Sequence, residues 1–266
     1  MLVIALSPPV DEISDQVFAA HMAQHLLIGD IAALLMVIGL TGPVLQPVLH
    51  LHWVDRLRPL ANPVPALSLW ALNFYVWHLP FMYEAAHRNE LVHAVQHLTF
   101  LVFGSLMWMP LFGPLPKPAW FGNFAKLGYI IVVRLLGTLL GNVFAWSGTV
   151  FYTFYRAGEA KHGLGALDDQ SIAGAVMMIE QSLLTIFLFG WLFMRAAAEG
   201  EQKQELLEFA AAHGVELDER RAARAVSAGR ADELRRRLAA TPPDRSAAAA
   251  PPREAASTAG SARPGS

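Results

Sequence analysis

Two short stretches of this chain carry side chains able to hold a metal ion. Residues 21–25 read HMAQH and residues 93–97 read HAVQH. Each places two histidines four apart, a spacing that turns both imidazoles to one face of a helix. Imidazole nitrogen suits copper, zinc and iron, and thioether sulfur selects Cu(I). The 266 residues include no cysteine, so thiolate sites and disulfides are excluded and a Cu(I) ligand set must come from His and Met. A milder reading stands beside this one. A histidine near a helix end is commonly an interfacial, hydrogen-bonded residue, and Gln24 or Gln96, each just before the second histidine, is able to pair with imidazole across helices.

The choice depends on the elements that carry the pairs. The chain is 54% hydrophobic with a net charge of −2. Its apolar residues run in stretches of about 20, the length that crosses roughly 30 Å of hydrocarbon. Five such stretches occur, near 18–40, 65–84, 91–112, 126–146 and 171–195. They lack the alternation of barrel strands, so the expected fold is an all-α, polytopic transmembrane helix bundle. TGP at 41–43, NPVP at 62–65 and GPLPKP at 113–118 punctuate the spans. MLVIALSPPV lacks the basic start of a signal peptide and reads as the stub of a further helix. Residues 1–17 carry three acids and no Lys or Arg, whereas twelve of the twenty basic residues lie from Arg195 onward. That bias puts the N-terminus outside and the C-terminus inside.

The expected organisation is a transmembrane domain over 1–197, a charged, partly helical cytoplasmic segment over 198–239, and a disordered Ala/Pro/Arg-rich tail over 240–266. In the tail segment, Leu206, Leu207, Phe209, Ala210, Leu234 and Leu238 keep helical spacing, and Arg235, Arg236 and Arg237 read as a solvated basic run or a contact with anionic lipid.

In this topology His21 and His25 enter at the outer end of the first span, His78 lies near the outer end of the second, and His93 and His97 enter at the outer end of the third. Met177 and Met178 lie one to two turns into the fifth. At about 1.5 Å per residue, His25, His78, His97 and Met177 reach a common depth of roughly 10 Å. His50, His52, His87, His162 and His213 fall in loops or the tail and read as ordinary polar residues. Asp30, Arg134 and Glu180 are charges near mid-bilayer. They read either as an ion pair that fixes helix register or as a proton or ion path. Asp30, five residues past His25, is about 140° round a regular helix and so is not expected beside it.

HMAQHLL at 21–27, WHLPFMYEAA at 77–86, LVHAVQHLTFL at 91–101 and DQSIAGAVMM at 169–178 resemble, in order, the signature blocks of the CtaG-type cytochrome c oxidase assembly factors. The resemblance covers about 1–195. It implies a bacterial multi-pass protein of the cytoplasmic membrane, not an enzyme, that supplies copper to a haem-copper oxidase through His21, His25, His78, His93 and His97. The partners it implies are oxidase subunits and a periplasmic copper donor, with the lipid bilayer around them and no nucleic acid. Family members usually carry one or two further helices before the first histidine pair, and an aromatic where Met178 adds a second thioether. Two other functions remain open on the residues alone. One is a haem or di-iron oxidoreductase, though the His-x-x-His-His cluster of membrane hydroxylases is missing. The other is a structural or proton-conducting bundle built on Asp30, Arg134 and Glu180.

Overall fold

The computed structural model describes residues 2–40, 59, 62–115, 117–118 and 120–240. Readings that fall on His50, His52 and residues 241–266 lie outside the described residues. Among the described residues every long element is a helix. Two short helices, α1 (Leu2–Ala5) and α2 (Pro8–Ser14), lead into α3 (Phe18–Gly39). Then come α4 (Pro63–Trp77), α5 (Pro80–Arg88), α6 (Glu90–Phe112) and α7 (Asn123–Trp146). A 3-10 turn at Thr153–Tyr155 and α8 (Arg156–Lys161) precede α9 (Ala166–Ala212), followed by α10 (Glu219–Ser227) and α11 (Ala231–Ala240).

Four of these, α3, α6, α7 and α9, are long and apolar enough to cross a membrane. The remaining expected span, 65–84, is divided. Leu79 is extended (φ −66°, ψ 133°) because it precedes Pro80, whose ring excludes the α conformation from its neighbour. α4 therefore ends after 15 residues and His78 becomes its C-cap.

The chain divides into two compact units, Met1–Leu192 and Phe193–Ser266. In the second, Leu206, Ala210, Val226, Leu234 and Leu238 form a small apolar core. In the first, α6 packs against both α3 and α4. Because lipid tails are as apolar as leucine, such packing relies on close backbone approach at small residues. A Cβ at Gly104 of α6 would collide with the carbonyl oxygen of Gly29 in α3. A Cβ at Gly174 of α9 would lie 2.6 Å from the Ala145 nitrogen of α7.

Polar clamps fix the register. α3 starts at Phe18 with Val17 in the cap position, which has no side-chain acceptor to offer. The acceptor comes from α9: Asp169, wholly buried, takes hydrogen bonds from the N–H groups of Phe18 (2.7 Å) and Ala19 (3.0 Å). α6 is capped locally, with Asn89 Oδ1 accepting from Leu91 (2.9 Å) and Val92 (3.3 Å).

The close α3–α6 crossing makes a direct prediction. Gly104→Ala should lower the thermal unfolding midpoint in detergent and reduce yield in the membrane fraction, whereas Gly39→Ala, which meets nothing within 4 Å among the described residues, should lower neither. Equal behaviour of the two variants would contradict the crossing.

Candidate metal centre

The two histidine pairs meet. The ring centroids of His21 and His25 on α3 are 4.1 Å apart, and those of His93 and His97 on α6 are 4.2 Å apart. Across the helices, His21 stacks on His93 at 5.4 Å and His25 meets His97 edge-on at 5.2 Å. His21 and His25 are buried, and His93 and His97 are half-buried. Candidate ligand nitrogens of His21, His25 and His93 all lie within 4.8 Å of one another. Two nitrogens bound to one ion at about 2 Å each are at most ~4 Å apart, so small ring rotations bring these donors to bonding range.

Both nitrogens of His21 and of His25, and Nε2 of His93 and His97, are buried with no hydrogen-bond partner. An unsatisfied buried polar atom costs about 1–3 kcal/mol, so six in one cluster set this place apart from an ordinary packed core. The glutamines do not satisfy them. Gln24 Nε2 donates to the Ala5 carbonyl (2.9 Å) and to Asp11 Oδ1 (3.0 Å), and the Gln96 amide meets no partner.

His78 and Met177 stand slightly apart from this cluster. The aromatic neighbours of the His78 ring are Phe74, Tyr83, Phe100 and Phe144. His78 Nδ1 lies 2.6 Å from the Phe74 carbonyl oxygen. A carbonyl only accepts, so Nδ1 carries the proton and the buried, unpartnered Nε2 presents its lone pair. That Nδ1–H to carbonyl bond is the support that metal-binding imidazoles commonly have. Met177 is buried, while Met178 packs toward Gly141 of α7. The surroundings of His87, His162 and His213 are ordinary: all are exposed, stacking on Phe154, meeting Gln16 Oε1, and bonding the Phe209 carbonyl respectively.

Below the histidines the chain buries a charge network. Arg134 Nη1 donates to Asp30 Oδ2 (2.8 Å) and to Gln181 Oε1 (2.9 Å), and Nη2 lies 3.3 Å from Asp30 Oδ1. Glu180 Oε1 lies 3.8 Å from Arg134 Nη1, and Glu180 Oε2 accepts from Gln181 Nε2 (2.9 Å). The guanidinium also lies 5.0 Å from the Trp108 ring centroid. Asp30 reaches this position because residues Leu27–Ala32 form a π-helical turn. The wider turn changes the angular offset from His25, and Asp30 lines the same cavity as His25, contrary to the regular-helix expectation. The Trp108 indole N–H donates to the Asp30 carbonyl (3.1 Å), beside the loosened backbone.

Several contributing residues escape sequence reasoning. Tyr83, Tyr152 and Tyr155 roof the His21 side: Tyr83 and Tyr155 share a 3.1 Å hydroxyl contact, and the Tyr152 hydroxyl donates to the His78 carbonyl at 2.7 Å. Burial pushes the Tyr152 and Tyr155 hydroxyls up, so both remain neutral. Asp169 and Gln181 were signalled only faintly, as an acid opening an apolar run and as a polar neighbour of Glu180.

The sequence model of the cytochrome c oxidase caa3 assembly factor family matches residues 1–199, which include both histidine pairs and the whole charge network. The chain belongs to that family. The family's described role is assembly of cytochrome c oxidase, and the four apolar helices agree with a membrane protein. Among curated proteins, the chain is similar to uncharacterized proteins of Mycobacterium bovis and Mycobacterium tuberculosis, each 25% identical over 178 residues. Those alignments cover 60% of this chain and 27% of each relative, so the chain spans about a quarter of the length of the curated relatives it matches. No solved structure matches.

Within this assembly-factor fold, Arg134→Met would leave two carboxylates buried without their cation. The expected cost is about 3–5 kcal/mol, read as a lower unfolding midpoint in detergent. Wild-type stability of that variant would show that the network is solvated rather than paired.

Proposed function

We propose that this assembly factor carries copper, as Cu(I), and delivers it to an oxidase subunit in the same membrane, without catalysing a reaction. The observation that carries the reading is the set of six buried imidazole nitrogens without hydrogen-bond partners on His21, His25, His93 and His97. A neutral imidazole in that state is a lone-pair donor, and a d¹⁰ monovalent ion accepts two or three such donors without a fixed geometry. Few ligands suit a carrier, since a saturated cage would not release its ion. The acidic head and basic tail support a topology in which the histidine end lies at the outer face of a bacterial cytoplasmic membrane, within reach of a periplasmic donor. His93 and His97, half-buried, form the side of entry.

A haem is disfavoured by the same geometry. The His21 and His93 rings stack face to face at 5.4 Å, whereas axial imidazoles present their nitrogens, not their faces, to an iron held between them.

The test is metal analysis of the purified protein after Cu(I) loading under reducing conditions, beside His25→Ala/His97→Ala. At least one equivalent of copper in the parent and its loss in the folded variant are expected, with a matching fall in oxidase copper content in cells that carry the variant. An unchanged oxidase copper content in those cells would sink the delivery role.

A further inference from the structure

Beside the four-histidine cluster lies a small cavity of about 30 Å³, roughly the volume of one water molecule in the liquid. Its walls include His25, His78, Phe100, Met177, Asp30 and Gln181. Two of these bring donors with nothing to bond. His78 is 8% exposed, its Nδ1 is engaged by the Phe74 carbonyl, and its Nε2 is buried and unpartnered. His25 is 6% exposed with both nitrogens unpartnered. Met177, 1% exposed, adds a thioether.

We propose that this cavity is a second Cu(I) position, separate from the four-imidazole cluster, with His25, His78 and Met177 as its ligands. The proposal rests on the copper reading above and adds an inner stage to it. Three features support it. First, the ligand set changes from imidazole alone to imidazole plus thioether, which favours a soft monovalent ion over zinc. Second, the cavity lies among buried, largely apolar side chains, where a monovalent cation is less costly to desolvate than a divalent one. Third, His25 belongs to both places. Its ring is 4.1 Å from that of His21, 5.2 Å from that of His97 and 4.8 Å from that of Phe100, the residue that also meets His78 at 6.0 Å. An ion moves between the positions by exchanging partners around His25 and is never left without a ligand. The transfer involves no change in oxidation state and no bond other than those to the metal.

The test is Cu(I) titration of the full chain in detergent against a chromogenic Cu(I) chelator, with X-ray absorption at the copper edge. The parent should take up two equivalents and show a sulfur scatterer. Met177→Leu, a volume-conserving change, should take up one and show nitrogen alone. His21→Ala/His93→Ala should keep one equivalent, with sulfur. A single equivalent in the parent, or two with no loss in Met177→Leu, overturns the second position while leaving the copper reading intact. No copper in a folded parent overturns both. Circular dichroism and size-exclusion profiles of each variant separate lost binding from lost fold.

Discussion

The carboxylate of Asp169 accepts hydrogen bonds from the first two N–H groups of α3, and much of the site depends on that contact. A helix start has donors that its own backbone cannot satisfy, and lipid offers none. With Val17 in the cap position, α3 depends on α9 for this acceptor. The consequence is a parallel register between two helices that are remote in sequence. Phe18 aligns with Asp169, and twelve residues further along each helix (30 − 18 and 181 − 169) Asp30 and Gln181 both bond Arg134. Between those two clamps His25 and Met177 come to one cavity.

The histidines of α6 are placed by a different means. The Asn89 cap sets where that helix begins, so His93 falls in its first turn and His97 one turn deeper. Gly29 and Gly104 then let α3 and α6 approach until carbonyl meets Cα, which brings the two imidazole pairs face to face. The π-helical turn begins just after His25 and carries both Gly29 and Asp30, so one local irregularity serves both the crossing and the charge network. Helical bulges of this kind concentrate at functional sites because they redirect side chains that a regular helix would turn away.

What was legible in the sequence follows from periodicity. The i, i+4 histidine pairs, the apolar runs and the mid-span charges each depend on neighbours a few residues apart, and the structure brings His21, His25, His93 and His97 together, as it does Asp30, Arg134 and Glu180. The break of the second span was written in Pro80 but was masked by apolar residues on both sides of it. Asp30 was misplaced because a turn of 3.6 residues was assumed where the chain adopts a wider one. The Asp169 cap joins residues 151 apart, and nothing local to Phe18 announces it. Two of the roofing tyrosines, Tyr152 and Tyr155, arise in the same way, from the segment after α7 folding back over His78 and Tyr83.

Phe100 has the last word on how an ion would travel. A Cβ at Gly29 would lie 3.3 Å from the Phe100 Cβ, so the base of this side chain sits close against the α3 backbone while its ring neighbours both His25 and His78 in the cavity wall. In a two-position scheme this ring would shape the space an ion passes, while the ligands at either end would set its affinities. Under that scheme, speed of passage and strength of binding would rest on different residues.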